Sequence, residues 1–184
     1  MKHILKPALS LFFITALITA LLALVRDLTL EPIETQRRNT MERTMKAVLP
    51  DASDFTEIPA VLTGSMVRVF KGTNGNDTVG FVIELAPVGY AGEIDMMVGI
   101  SKITETISGM RILRHTETPG LGALAVKENF YSKFDGRSLV PLRVVRTGSA
   151  ENEIDSITSS TITTVAIVGA VNEATEWFKG GSWK

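Results

Sequence analysis

Seven of the ten residues Asp155-Ser156-Ile157-Thr158-Ser159-Ser160-Thr161-Ile162-Thr163-Thr164 are Ser or Thr. An apolar run follows at once, Val165, Ala166, Ile167 and Val168, then Ala170 and Val171. Small hydroxyl residues directly before an apolar-periodic segment mark a helix N-terminus. The first N–H groups of such a helix have no internal partner and its dipole is positive there, so a phosphate is well held at that end. The plainest reading is a Ser/Thr-rich cap on a C-terminal helix. A second stretch, His115-Thr116-Glu117-Thr118-Pro119-Gly120-Leu121-Gly122, packs Pro and Gly into a turn that exposes backbone groups and admits a flat ring without side-chain clash. Leu121 at its tip can cover one ring face, and Glu117 and Thr118 can meet polar ring edges. By itself the Pro-Gly-Leu-Gly part is an ordinary loop, and a lone His115 is a structural histidine.

Composition excludes several chemistries. The 184 residues include no cysteine, which removes disulfides, cysteine-ligated iron–sulfur clusters and thiol nucleophiles. Two distant histidines, His3 and His115, make no metal site. A formal net charge of −1 gives no basis for nucleic-acid binding. The charge is uneven: residues 1–26 hold Lys2, Lys6 and Arg26 and no acid, leaving 16 basic and 20 acidic side chains, a net of −4, for the rest.

The segment Ala8 to Val25 carries no charge over 18 residues, with Ser10, Thr15 and Thr19 its only polar side chains. As a helix it spans about 27 Å, close to a bilayer's hydrocarbon core. No convincing small-x-small cleavage site follows it, and it is longer than an ordinary signal-peptide apolar region, so a retained anchor is favoured over a signal peptide. Lys2 and Lys6 favour a cytoplasmic N-terminus; Arg26, Arg37, Arg38 and Arg43 oppose it.

Pro32 suits the first turn of a helix of about 18 residues, with Met41, Met45, Val48 and Leu49 on one face and Leu49-Pro50 at its end. This is a stalk, or a helix docked on the domain. Met66–Phe70 and Val79–Leu85 read as strands around a turn-rich Gly72–Asp77. Ala86–Gly92 is Gly-rich without a nucleotide fingerprint. Ile94–Ser101 and Thr106–Leu113 are further strands, Ser108-Gly109 marking a bulge or turn. A helix is expected from Ala123 to Tyr131, and Leu139–Val145 as an edge strand interrupted by Pro141. Glu151, Glu153 and Asp155 form an acidic lead-in. Gly180-Gly181 ends the last helix, whose Trp177-Phe178 pair reads as packing.

Asp155-x-x-Thr158-Ser159-Ser160-Thr161 resembles the Asp-x-x-(Ser/Thr)-Gly-Ala-Thr flavinylation motif of the FMN-binding domains in Rnf and Na⁺-translocating NADH:quinone oxidoreductase complexes. Ser159-Ser160 stands where the family has Gly-Ala, and serine is less free than glycine to take φ > 0. The His115–Gly122 segment resembles that family's H-x-E-T-P-G-L-G, and Gly89–Ile100 its glycine-and-tyrosine loop plus strand. The likeness covers the whole chain and is nearer to the Rnf G subunits than to the quinone-reductase C subunits.

The resemblance implies an α+β fold: a single N-terminal transmembrane helix (1–27), a helical stalk (28–50) and an extracytoplasmic antiparallel-sheet FMN-binding domain with flanking helices (51–184). It implies an electron-transfer subunit, not catalytic alone, of a complex coupling ferredoxin:NAD⁺ oxidoreduction to Na⁺ or H⁺ movement. FMN is then joined to Thr161 as a phosphoester by a flavin transferase using FAD, and the A, B, C, D and E subunits of that complex are the partners. Asp155, Thr158, Ser159, Ser160, Ile162 and Thr163 belong to the phosphate end, and Glu117, Thr118, Gly120 and Leu121 lie near the ring. The competing reading is a membrane-tethered FMN-binding sensory or structural module with no redox relay.

Overall fold

A computed structural model describes residues 2–148, 150–181 and 183, with side chains from residue 6 on, so those of Lys2 and His3 lie outside the described residues. Two compact units result, Met1–Thr40 and Met41–Lys184. The first helix, α1, runs Lys2–Val48. Within it lies one stretch long and apolar enough to cross a membrane, of mean hydropathy 2.6 and unburied. Hydroxyls along the helix bond back to the preceding turn: Ser10 donates to the Lys6 carbonyl (3.1 Å), and Thr15 and Thr29 to Leu11 and Val25 (2.9 Å each). Pro32 does not start a second helix as its position suggests. It lies inside α1, costing one backbone hydrogen bond without ending the helix.

The second unit is built on a six-stranded antiparallel sheet in sequential order. Its strands are β1 (Asp54–Ile58), β2 (Met66–Asn74), β3 (Asp77–Leu85), β4 (Ile94–Ser101), β5 (Thr106–His115) and the two-residue β6 (Arg137–Ser138). Asn74 pairs with Asp77, so Gly75 and Asn76 form the hairpin turn, Gly75 supplying φ +62°. Ser108 is the extra residue of a bulge, since Gly99 pairs with Gly109 and Ile100 with Ile107. Both faces of the sheet are covered, which is why β3 and β4 read as near-continuous apolar runs. Phe81, Ile83, Leu85, Met96, Val98 and Ile100 face the main core. There they meet α3 (Thr161–Lys179), whose Ile167, Ala170, Val171, Ala174, Trp177 and Phe178 recur at helical spacing.

The opposite face takes the end of α1. Met45, Val48, Leu49 and Ala52 pack on Phe70, Val82 and Met97. Close approach is possible because glycines line that face. A Cβ on Gly99 would lie 2.1 Å from the Val48 carbonyl oxygen, and one on Gly72 2.5 Å from the Leu49 side chain. The bulged Ser108 donates to the same Val48 oxygen at 2.5 Å.

Two further expectations are corrected, and one strand is unexpected. The segment after Gly122 is a 3-10 helix (Gly122–Val126), a short α2 (Glu128–Tyr131) and another 3-10 turn (Ser132–Phe134), because Lys127 is extended at ψ 147°. Leu139–Val145 is not one strand: Pro141 separates β6 from β7 (Arg143–Val145), and β7 pairs in parallel with β8 (Glu153–Asp155) in a separate two-stranded sheet. The edge strand β1 has no counterpart among the expected elements.

Candidate functional site

A cavity of about 440 Å³ is lined by Tyr90, Glu117, Thr118, Leu121, Gly122, Ser159, Ser160, Thr161 and Ile162. Three segments distant in sequence meet there: the β3–β4 loop, the turn after β5, and the start of α3. That volume lies within the range of about 300–1,000 Å³ usual for small-molecule sites.

Thr161 is the first residue of α3, and Ser160 its N-cap. The first intrahelical bond runs from Thr164 N–H to the Ser160 carbonyl (3.1 Å), so the N–H groups of Thr161, Ile162 and Thr163 precede it. The N-cap side chain of Ser160 makes no cap hydrogen bond to them, and its hydroxyl donates to Thr163 Oγ1 (2.8 Å). The helix end therefore keeps open donors beside an exposed threonine, the arrangement that suits a phosphate. Ser159 sits at φ +60°, the conformation that glycine takes most easily.

Glu117 joins the three segments. Its Oε1 accepts the N–H groups of Tyr90 (2.7 Å) and Ala91 (3.0 Å), and its Oε2 accepts the Thr163 hydroxyl (2.7 Å). The side chain is 5 % exposed. Two glycines make room for it: a Cβ on Gly122 would meet Oε2 at 2.2 Å, and one on Gly89 would meet Oε1 at 2.4 Å. Burial pushes the Glu117 carboxyl pKa up. The Ala91 N–H, the Thr163 hydroxyl, the Tyr90 N–H and nearby His115 outweigh it, and the net pKa is below the ordinary carboxylate value.

Of the residues expected at the site from sequence, Thr161, Ser159, Ser160, Ile162, Glu117, Thr118 and Leu121 line the cavity; Asp155, Thr158, Thr163 and Gly120 do not. Thr163 is fully buried behind the wall. Asp155 accepts the Gly148 N–H at 2.5 Å and pairs with Lys133 at 3.6 Å, in a separate groove. Glu117, expected at a ring edge, has both oxygens engaged by protein donors. Sequence reasoning misses Tyr90 and Gly122 as lining residues. The signal for Tyr90 is an aromatic in a Gly-rich loop, and it is 71 % exposed. Among the described residues no cluster of His, Asp and Glu could hold a metal.

The FMN-binding domain family matches residues 89–176, which hold all nine lining residues. Its ligand fits what is here: open N–H donors for a phosphate, a threonine beside them, and apolar Leu121 and Ile162 with Tyr90 for a flat ring. The N-terminal helix matches the RnfG N-terminal region over residues 1–48. In fold, the chain is similar to Shewanella oneidensis NqrC, with a TM-score of 0.64 at 16 % identity, covering 79 % of this chain and 95 % of that one. Fold and site thus define an FMN-binding domain carried behind a single N-terminal apolar helix.

The relatives are more specific. The G subunit of the ion-translocating oxidoreductase complex of Methanosarcina acetivorans is 33 % identical, with 96 % of this chain and 95 % of that one covered. The G subunit of the Na⁺-translocating ferredoxin:NAD⁺ oxidoreductase complex of Acetobacterium woodii is 34 % identical, over 93 % and 89 %. The chain belongs to the family of Rnf complex G subunits.

Proposed function

We propose that this chain relays electrons through an FMN carried as a phosphoester on Thr161, within an ion-translocating membrane complex of the Rnf type. The observation that supports it best is Thr161 itself. It lines the cavity at the start of α3, where the N-cap side chain of Ser160 makes no cap hydrogen bond to the first N–H groups. FMN, when bound, supplies one-electron chemistry, and the protein sets its position and potential. The N–H groups of Thr161 and Ile162, both cavity-lining residues, hold the phosphate. Leu121, Ile162 and Tyr90 screen the ring from water. Residues 1–27 anchor the chain, 28–50 connect it, and 51–184 carry the flavin on the extracytoplasmic side, facing the other subunits.

Attachment requires a separate flavin transferase with FAD as donor. The Thr161 oxygen bonds to the FMN phosphorus, the pyrophosphate bond breaks, AMP leaves, and the hydroxyl proton is released. Thr161 is thus the site of modification and not a catalyst. Intact mass and in-gel fluorescence of the protein from its own membranes test this reading. An added FMN mass on the peptide containing Thr161, abolished by Thr161→Ala, is the expected result. Flavin that survives denaturation in Thr161→Ala would refute the linkage.

A further inference from the structure

Ser160 faces the cavity, but its proton is already committed. An ionised carboxylate only accepts hydrogen bonds, and a hydroxyl has one proton to give. Glu117 Oε2 accepts the hydrogen bond of the Thr163 hydroxyl, at 2.7 Å. The 2.8 Å contact between Ser160 and Thr163 can then be made in one sense only, with Ser160 donating. Ser160, Thr163 and Glu117 are 8 %, 0 % and 5 % exposed, so solvent has little opportunity to replace these partners. The Ser160 oxygen is left with lone pairs toward the cavity.

We propose that Glu117, acting through Thr163, is a positioning residue that fixes Ser160 as a hydrogen-bond acceptor on the cavity wall. This rests on the FMN reading above and deepens it. Ser160 accepts a hydrogen bond from a ligand donor, such as a ribityl hydroxyl or ring N–H, and is unsuited to a phosphate oxygen. The phosphate is left to the backbone N–H groups of α3. Ser160 as a hydroxyl donor to the phosphate, the role a serine at this helix end suggests, is replaced by the opposite polarity.

Glu117→Gln tests this because it changes polarity at nearly constant shape. The carboxamide oxygen keeps the Tyr90 and Ala91 N–H groups, and its NH₂ must donate to Thr163. The Thr163 proton then turns to Ser160, and the Ser160 proton turns to the cavity. In full-length protein matured with its transferase, Glu117→Gln should slow covalent FMN attachment roughly fivefold or more. In a Ser160→Ala background it should add nothing. An equal loss in both backgrounds, or no loss in either, overturns the proposal, since a purely structural role adds independently of Ser160. A second measurement needs no flavin: in Thr161→Ala protein, ¹³C NMR of the Glu117 carboxyl should show its titration midpoint rise on Thr163→Val. An unmoved midpoint overturns the chain of hydroxyls. Wild-type protein without FMN would instead sink the flavin reading and the ligand role of Ser160 with it, the titration still deciding the chain.

Discussion

Replacing Ser159 by glycine should stabilise the protein. Ser159 holds φ +60° in the turn leading into α3. The left-handed conformation costs a residue with a Cβ roughly 1–2 kcal/mol. Glycine escapes that cost but loses more chain entropy on folding, about 0.5–1 kcal/mol. The difference favours glycine by about 0.5–1 kcal/mol. For a chain of this size, about 1 kcal/mol moves the melting temperature by about 2–4 °C. Thermal unfolding of Ser159→Gly in detergent, followed by near-ultraviolet circular dichroism, should therefore show a rise of one to four degrees (about 0.5–1 kcal/mol). Gly136→Ala is the matching control. Gly136 sits at φ +74° with open space where a Cβ would lie, so the substitution isolates the backbone cost and should lower the melting temperature by a similar amount. A lower melting temperature for Ser159→Gly, with Gly136→Ala destabilising as expected, would refute the strain argument at Ser159.

Gly99→Ala should cost about 1–3 kcal/mol in denaturant titration, because the backbone carbonyl of Val48, 2.1 Å from the new Cβ, has no side-chain freedom with which to yield. Gly169→Ala, exposed on α3 with nothing within 4 Å, should instead gain up to about 1 kcal/mol. Glu117 has a folded pKa below its unfolded value of about 4.3, so its stabilisation is present above that pH and lost as pH falls through the folded pKa. Glu117→Gln should flatten that acid limb, as measured by melting temperature from pH 6 down to pH 3.

The elements buried on both faces are the most legible. The strands β3 and β4 announce themselves by apolar runs, residues 79–83 and 96–100, broken only by glycine. The edge strand β1 reads Asp-Phe-Thr-Glu-Ile with none of its residues fully buried, so its sequence carries the mark of a loop. Glu153–Asp155 has the look of solvated acid, yet its backbone pairs with β7. Pro32 is legible as a helix signal but not as an interior one, since the residues around it suit either reading. At the site, the Ser/Thr run points to Thr161 and the helix end. Ser160 and Thr163 share a helix face at i, i+3 spacing. Nothing local says that Glu117, 46 residues before Thr163, ends their chain or draws Tyr90 to the same place. That contact exists only once the sheet and α3 have packed.

The glycine-lined face under the end of α1 also imposes an order on biosynthesis. Val48 is made 60 residues before Ser108, the residue that bonds its carbonyl. Until β5 has been synthesised and paired, Met45, Val48 and Leu49 have no complete surface to cover them. The first-made part of the folding unit is thus among the last to be locked in, a long-range closure of the kind that slows folding. It also sets where the chain can be cut. A shortened protein beginning at Met41 keeps the apolar residues that cover Phe70, Val82 and Met97, whereas one beginning at Asp51 loses Met45, Val48 and Leu49 and keeps only Ala52 of that cover.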